Sequence, residues 1–276
     1  MLRYDLHSHS TRSDGLLTPA ELVRRAVDHD VDVLCLTDHD ELGGLEEAHA
    51  AAEGTGLRLI DGAELSVSWR HITLHVVGLG VNPASRALAE GLAAVRDGRT
   101  SRARRIGESL GSAGIPGAYE GAMKYVTSER LISRTHFARF LVEAGYVRTI
   151  KDVFTRFLTP GKPGYVPHQW TDLATAIGWI HIANGQAVLA HPGRYKVTAR
   201  ELRELLTEFR DLSGDAIEVL SPSHTPAQTT QFARAAHVFG LLASSGSDFH
   251  GPGESWIDVG DMPALPVGTT PVWRGW

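Results

Sequence analysis

The sequence predicts an α/β protein, a barrel of repeated strand–helix units interrupted by a helical insertion. Short apolar runs alternate with amphipathic stretches near both ends of the chain, which is the pattern of βα units. Between about residues 85 and 160 this pattern gives way to helical stretches without a convincing strand, which indicates an insertion. A chain of 276 residues is long enough to bury a core without disulfides.

Four strands and two helices are predicted before the insertion. The first helix begins after Thr18, because an N-cap threonine, Pro19 at the first helical position and Glu21 together form a capping box. A second helix is expected from about Gly44 to Glu53. The strand candidates, in chain order, are RYDLH, VDVLCLT, LRLIDGAELSV and HITLHVVGLG.

The alternation of strands and helices resumes after the loop TPGKPGYVP, whose prolines and glycines are typical of a chain reversal. The strands QAVLAH, AIEVLS and LLASSGSDFH then alternate with helices near residues 198–212 and 226–239. We therefore predict a barrel formed by residues 1–84 and 161–276, with residues 85–160 as a helical insertion that covers the substrate.

Composition excludes several classes of protein. No apolar run approaches the roughly 20 residues of a membrane span, and the opening MLRYDLHSHS lacks the apolar core of a secretory signal. The single cysteine, Cys35, fits a reducing compartment and a buried position in a strand. A net charge of −5 does not indicate bulk nucleic-acid binding. We expect a cytoplasmic protein with no membrane contact and no stable protein partner.

Histidines and carboxylates recur at the ends of the predicted strands. His7 and His9 end the first strand, and alternation along a strand points both side chains to the same face. Each residue alone is a weak signal, but the joint occurrence of nine is specific. The candidates are His7, His9, Asp14, His39, Glu64, His75, His191, Asp248 and His250.

These nine groups predict a multinuclear metal site. In β/α barrels the carboxyl ends of the strands meet at one face, so the nine side chains would converge there. Converging imidazoles and carboxylates would desolvate and repel one another unless cations were bound between them. A mixture of nitrogen and oxygen ligands suits manganese, zinc or iron better than calcium or magnesium. The remaining histidines are interpreted as structural, namely His29, His49, His71, His181 and His237.

The order of these motifs resembles the PHP (polymerase and histidinol phosphatase) family of metal-dependent phosphoesterases. The resemblance is carried by DLHSHS, Asp14, TDH, Glu64, His75, LAHPGR and SDFH, and it runs from Leu2 to about Gly260. It implies a distorted seven-stranded β/α barrel that holds three divalent ions, commonly manganese. The alternative of an amidohydrolase with a carboxylated lysine is weaker, because none of the four lysines lies in a predicted strand.

The resemblance also implies how the ligands are shared among three ions. The implied sets are His7, His9, Glu64 and Asp248 for one ion, Glu64, His75 and His191 for a second, and Asp14, His39 and His250 for a third. Glu64 would then bridge two ions. Asp38 would orient one of the ligands from behind.

Four further segments narrow the resemblance to one subfamily. They are ISRTHFARFLVEAG, LTPGKPGYVPHQW, AHPGRY and IEVLSPSH, and they are similar to enzymes that act on 3',5'-nucleotide bisphosphates. The implied reaction removes the 3'-phosphate of a substrate such as phosphoadenosine phosphate by attack of metal-bound hydroxide, leaving the 5'-nucleotide. Because bacterial relatives trim short RNAs, a 5'-to-3' exoribonuclease is the alternative. A non-catalytic, metal-stabilised module is a remote third reading, and histidinol phosphatase is disfavoured by the insertion.

Candidate substrate-binding residues come from the insertion and from the strand ends. Arg134, Lys162 and Arg194 are expected to bind phosphate oxygens, the first two mainly on the family likeness. Ser133, His136 and His224 are weaker hydrogen-bonding candidates, and Arg194 or His224 is the candidate that assists the leaving oxygen.

An arginine-rich stretch and two aromatic residues leave two interpretations open. The stretch comprises Arg96, Arg99, Arg102, Arg104 and Arg105. A solvated helix face is the favoured interpretation of it, and a track for an RNA backbone is the alternative. Tyr165 and Trp170 fit base stacking and core packing equally well.

Overall fold

A twisted sheet that closes almost into a barrel forms the centre of the computed structural model, which describes residues 2–276. Its strands are β1 (Tyr4–Asp5), β2 (Val33–Leu36), β3 (Arg58–Trp69), β4 (Ile72–Leu79), β5 (Thr171–Asp172), β6 (Gln186–Leu189), β7 (Ala216–Leu220) and β8 (Leu242–Ser245). The main path runs β1-β2-β3-β4-β6-β7-β8, with β5 paired to β3. The backbone N–H of Leu6 donates to Ser245 O at 3.1 Å, which joins the chain after β1 to the end of β8. The distorted seven-stranded barrel predicted from the sequence is confirmed.

One strand runs against all the others on the main path. Strand β4 is antiparallel to both of its neighbours, β3 and β6, while the remaining pairs are parallel. The first residues of β4 therefore lie at the edge where the parallel strands end. His75 pairs with Ser66 of β3 and reaches this edge from the first half of its strand. His75, expected within the fourth strand and not after it, thus reaches the same edge as the ends of the parallel strands, because a tight hairpin reverses the direction of β4.

Helices cover the barrel and build the insertion. In chain order they are α1 (Pro19–Asp28), α2 (Leu45–Ala52), α3 (Arg86–Ser112), α4 (Ala118–Met123), α5 (Arg134–Glu143), α6 (Ile150–Val153), α7 (Leu173–Ile182), α8 (Ala199–Asp211) and α9 (Pro226–Phe239). The capping box predicted at Thr18 is present, with Glu21 as its reciprocal partner. Among residues 2–276, no helix combines the length and apolarity needed to cross a bilayer.

Helix α7 and strand β5 are missing from the sequence-based prediction. The sequence LATAIGWIHI is apolar at most positions, so it lacks the polar face that marks an amphipathic helix. The reason is its location, because Ile177 and Ile180 pack in the barrel core together with Leu88 and Leu92 of α3. A helix covered on two sides loses the periodic signal.

Residues 85–160, all of them described, form helices and no strand, as predicted. Apolar side chains of this segment from Ala103 onwards form, together with Val166, a hydrophobic cluster separate from the barrel core. The first turns of α3 instead pack on the barrel, so this helix belongs to both hydrophobic clusters. The domain limits at residues 84/85 and 160/161 remain a prediction.

The start of α5 depends on a neutral histidine. Ser133 is the N-cap, and its backbone N–H donates to His136 Nδ1 at 3.0 Å. The His136 side chain is buried, and this burial lowers its pKa to about 3. Because Nδ1 must accept a hydrogen bond, protonation of this ring would break the cap.

We expect the substitution His136→Gln to reduce the decrease in the free energy of unfolding between pH 7.5 and 4.5. The folded-state pKa of about 3 lies below the unfolded value of about 6.5, so the folded protein binds fewer protons in that window. Stability therefore falls as the pH drops below about 6.5, by up to ~1.4 kcal/mol per pH unit. Glutamine keeps the reciprocal cap without titrating.

Urea unfolding at several pH values between 7.5 and 4.5 measures this effect, and His237→Gln on the exposed face of α9 is the control. A slope of the unfolding free energy against pH equal to that of the unmodified protein would show that His136 does not titrate as proposed.

Candidate metal centre

Residues from six barrel strands and the loops that follow them meet at one end of the barrel. His7 and His9 follow β1, His39 follows β2, and Glu64 lies within β3. Parallel bridges between Ser8 and Phe249 and between His39 and Glu64 extend the sheet into this region. The other members of the set come from β4, from the turn after β6 and from the segment after β8, and they are His75, His191, Asp248 and His250.

The carboxylate of Glu64 lies between five imidazole rings. It is fully buried, and its Oε1 is 2.7 Å from His75 Nδ1 and 2.9 Å from His191 Nε2. Its Oε2 faces three further ring nitrogens, those of His39 at 2.9 Å, His7 at 3.2 Å and His9 at 3.3 Å. This is the position that a bridging ligand would need.

Two aspartates complete the cluster on either side. Asp248 Oδ1 lies 3.2 Å from His9 Nε2 and 3.5 Å from His7 Nε2. Asp14 Oδ1 lies 3.4 Å from His250 Nε2 and 3.6 Å from His39 Nε2. All nine residues expected from the sequence are thus brought together.

The side chains fall into three groups, and within each group the potential ligand atoms all lie within 4.8 Å of one another. They are His7, His9, Glu64 and Asp248, then His9, Asp14, His39 and His250, and finally His39, Glu64 and His75. The first group is the one that the family resemblance implies. The other two groups differ from the implied sets. His9 is added to the group of Asp14, His39 and His250, and His39 replaces His191 in the group with Glu64 and His75. The sharing of ligands between ions remains a prediction.

The buried polar atoms of the centre fit a set of cations. Within residues 2–276, several of these atoms have no hydrogen-bond partner, namely His7 Nε2, His9 Nε2, Asp14 Oδ1, His39 Nδ1 and Glu64 Oε2. Buried polar groups are nearly always paired, so a cluster of unpaired ones indicates an absent counterpart. Nitrogen and carboxylate oxygen donors together suit divalent transition ions.

The carboxylates of the centre are ionised at neutral pH. Burial opposes the charge of Glu64, but the imidazoles of His75 and His39 hold its pKa well below the usual range. Burial likewise opposes ionisation of Asp248, and the Arg194 guanidinium lowers its pKa well below normal. Both groups are therefore in the form that binds a cation.

Asp38 acts on the loop between two candidate ligands. Its carboxylate accepts hydrogen bonds from Ser10 Oγ and Ser13 Oγ, both at 2.6 Å, and from Ser10 N at 2.7 Å. These bonds hold the turn that connects His9 to Asp14. The residue expected to orient a ligand from behind thus contacts the loop and not a ligand ring.

Arg194 and His224 lie next to each other but have different contacts. Arg194 pairs with the carboxylate of the candidate ligand Asp248, and its side chain is 45% exposed beside the centre. His224 Nε2 accepts from Gly193 N, and its Nδ1 donates to Val219 O, both at 3.1 Å. Because the backbone uses both ring nitrogens, this geometry favours a positioning role for His224 over the predicted role of acid.

The structure gives different surroundings to the predicted substrate-binding residues of the insertion and of the loop that follows it. The Ser133 hydroxyl donates to Asp14 Oδ2 at 2.9 Å, so it contacts the metal centre directly. Arg134 follows it and lines a pocket, whereas Lys162 lies exposed on the loop after α6. His136 is occupied by the helix cap. Binding of substrate by these four residues remains a prediction.

The pocket beside Ser133 is cationic, although one of its three arginines, Arg99, is paired with the buried Asp40. Arg99, Arg102 and Arg134 line it together with Trp170, whose buried Nε1 has no hydrogen-bond partner among the described residues. Burial and the neighbouring guanidinium groups of Arg134 and Arg99 lower the pKa of Arg102 to about 9. An anion bound here would relieve this repulsion.

The arginine-rich stretch therefore has two faces. Arg99 is buried on the side of α3 that faces the barrel, and Arg102 donates to Val166 O at 3.1 Å. Arg104 instead pairs with Glu129 at the surface. The favoured prediction, a solvated helix face, is wrong for Arg99 and Arg102. Their guanidinium carbons lie 5.2 and 5.4 Å from the centroid of the Trp170 ring, which packs against both.

Glu218 is a site residue that sequence reasoning missed. It lies within β7 and accepts a hydrogen bond from His7 Nδ1 at 2.6 Å. The available signal was a single charged residue inside the otherwise apolar strand AIEVL.

A barrel whose strands deliver imidazoles and carboxylates to one end is typical of a metal-dependent hydrolase. The family model for the PHP domain matches residues 5–221, and the chain belongs to this family. The family recognised from the sequence motifs is thus confirmed.

Similar proteins span nearly the whole chain. A protein of Chromobacterium violaceum named 3',5'-nucleoside bisphosphate phosphatase is 51% identical, covering 99% of this chain and 96% of its own length. The 5'-3' exoribonuclease Rnm of Salmonella typhimurium is 46% identical, with coverages of 99% and 93%. A solved structure from Chromobacterium violaceum, described as an amidohydrolase with bound sulfate and no metal, superposes with a TM-score of 0.96 at 51% identity. It covers 99% of this chain and 95% of that one.

We expect Mn²⁺ to stabilise the protein and the substitution Glu64→Gln to remove most of this effect. An ion that binds only the folded state at a hundredfold excess over its Kd adds about 2.7 kcal/mol. For a chain of this size that corresponds to a rise in Tm of about 5–10 °C. Glutamine cannot supply the negative charge that lies between five imidazoles.

Thermal unfolding with and without Mn²⁺ tests this, and Glu204→Gln, which removes a surface partner of Arg70, is the matched control. An equal rise in Tm for both variants would mean that the ions do not bind at Glu64.

Proposed function

We propose that this protein removes the 3'-phosphate from nucleoside 3',5'-bisphosphates, such as phosphoadenosine phosphate, and releases the 5'-nucleotide. The observation that carries the proposal is a cationic pocket directly beside the metal centre. Ser133 donates to the candidate ligand Asp14, and the next residue, Arg134, lines the pocket. One phosphate of the substrate would lie at the centre and the other in the pocket. The name of the relative at 51% identity supports this substrate.

The nine clustered residues would hold three divalent ions, manganese first, with zinc or iron as alternatives. Such ions activate water as a nucleophile and neutralise phosphoryl oxygens in phosphate ester hydrolysis. The side chain of Arg194 would bind a phosphoryl oxygen, and its partial exposure and its ion pair with Asp248 support this role. Ser133 orients Asp14, and the paired carboxylates keep the charge that holds the cations.

The pocket would select for the second phosphate of the substrate. The pocket has a volume of only about 10 Å³, so the arginine side chains would move apart to admit a phosphate, which would then accept hydrogen bonds from Arg102, Arg134 and the unpartnered Trp170 Nε1. Burial and the nearby arginines also lower the pKa of His168 to about 4, which supports a positive potential around the pocket. The insertion thus acts as the substrate-binding part of the protein.

A 5'-to-3' exoribonuclease on short oligonucleotides is the second candidate. Two relatives at 46% and 44% identity, each covering 99% of this chain, carry that name. Both reactions break a phosphate ester at the 3' oxygen of a 5'-phosphorylated nucleotide, so one site serves either. The proposal includes a cytoplasmic location, which the buried thiol of Cys35 supports.

We expect the manganese-loaded protein to convert adenosine 3',5'-bisphosphate to 5'-AMP and to hydrolyse 3'-AMP far more slowly. Hydrogen bonds to charged groups contribute about 1.5–3 kcal/mol, so loss of the second phosphate should lower kcat/KM by roughly 10- to 150-fold. Arg102→Gln should lower kcat/KM for the bisphosphate by a similar factor and leave 3'-AMP nearly unaffected.

The matched control is Arg104→Gln, which removes a surface arginine two residues away on the same helix. Equal turnover of both nucleotides would contradict recognition of a second phosphate. Turnover of 5'-phosphorylated oligonucleotides alone would favour the exoribonuclease.

A further inference from the structure

We propose that Glu218 is a positioning residue that aligns two candidate metal ligands, His7 and His191, with one carboxylate. This inference rests on the metal-dependent function proposed above. Glu218 lies on β7 and is almost completely buried behind the centre. It belongs to none of the groups of potential metal ligands found among residues 2–276.

The first contact determines which nitrogen of His7 faces the centre. Glu218 Oε1 lies 2.6 Å from His7 Nδ1, so that nitrogen carries the proton and donates it. The lone pair of Nε2 is then free and points towards Glu64 Oε2 at 3.2 Å and Asp248 Oδ1 at 3.5 Å. A neutral imidazole binds a metal only through its unprotonated nitrogen, so Glu218 holds the tautomer that can act as a ligand.

The second contact holds the backbone of His191. Its N–H donates to Glu218 Oε2, while its side-chain Nε2 lies 2.9 Å from Glu64 Oε1. His191 has a φ of 28° and a ψ of 56°, a conformation that is uncommon for a residue with a side chain. Such strained residues persist where their surroundings hold them, and the Glu218 carboxylate is part of that restraint.

Together the two contacts align the ligands on opposite oxygens of Glu64. His7 faces Oε2 and His191 faces Oε1. A displacement of Glu218 would therefore move ligands on both sides of the bridging carboxylate.

The chemistry of the position requires a carboxylate and not merely a polar side chain. The other residues of β7 are apolar and buried, so an unpaired charge among them would be strongly destabilising. The charge is tolerated because each oxygen accepts one N–H. Glutamine has an acceptor oxygen at only one of the two positions, so it cannot accept from both His7 Nδ1 and His191 N there. With its oxygen on His191 N, its amide N–H2 would donate to His7 Nδ1 and favour the wrong tautomer of that ring.

The test is the affinity of the metal-free protein for Mn²⁺, measured from the EPR signal of free Mn²⁺ during titration. For Glu218→Gln we expect the tightest Mn²⁺ site to weaken by about 10- to 100-fold, the usual effect of losing a partner behind a metal ligand. In ¹⁵N NMR spectra, the His7 ring should change from the Nδ1-protonated tautomer to a mixture.

The matched control is Asp215→Asn, one residue before the start of the same strand. Asp215 also accepts from one imidazole and one backbone N–H, those of His181 at 2.9 Å and Ala187 at 2.7 Å, but away from the centre. We expect its Mn²⁺ affinity to stay within about threefold of the unmodified protein. If Glu218→Gln does not fold, Glu218→Asp keeps the charge with a shorter reach, and its expected weakening is about three- to tenfold.

Unchanged Mn²⁺ affinity in the folded Glu218 variant, or an equal loss in Asp215→Asn, would overturn the proposal. Because the titration uses no substrate, its outcome is independent of the phosphatase assay. Weakened Mn²⁺ binding in a protein that does not hydrolyse bisphosphates would support the role of Glu218 and reject the proposed substrate.

Discussion

The buried carboxylate of Glu64 is the constraint on which the rest of the centre depends. Five imidazoles converge on its two oxygens from strands on both sides of the barrel. A desolvated charge is stable there only if its counterparts are held close, so the surrounding residues must be rigid. Asp38 holds the loop before Asp14 through its hydrogen bond from Ser13, and Glu218 holds the ring of His7 through a hydrogen bond from Nδ1.

The insertion is attached to this centre by buried ion pairs. Asp40, which follows His39, accepts from Arg99 Nε at 3.1 Å and from Ser66 N at 2.7 Å. This links α3 to β3 and to the segment after β2, which carry the candidate ligands Glu64 and His39. Buried ion pairs add little net stability, since desolvation offsets the attraction, but their geometry is specific. Through Arg99 the cationic pocket therefore has a fixed place beside the metal centre.

A second buried pair holds the insertion to the other side of the centre. Arg139 of α5 binds both carboxylate oxygens of Glu254 at 2.8 Å and donates to Asp14 O at 2.6 Å. Glu254 lies in the loop after His250. One guanidinium thus joins the two loops that carry the candidate ligands Asp14 and His250 to helix α5, so the insertion is tied to the candidate metal centre.

The sequence by itself indicated most of the strands and helices and the nine clustered residues, because caps, apolar alternation and histidines that follow predicted strands are local patterns. Only the tertiary structure decided the direction of β4, the covered helix α7 and the burial of Arg99 and Arg102. It also showed that His224 is engaged by the backbone at both nitrogens. These features depend on which distant segments pair, and neither composition nor periodicity records contacts between residues far apart in the chain.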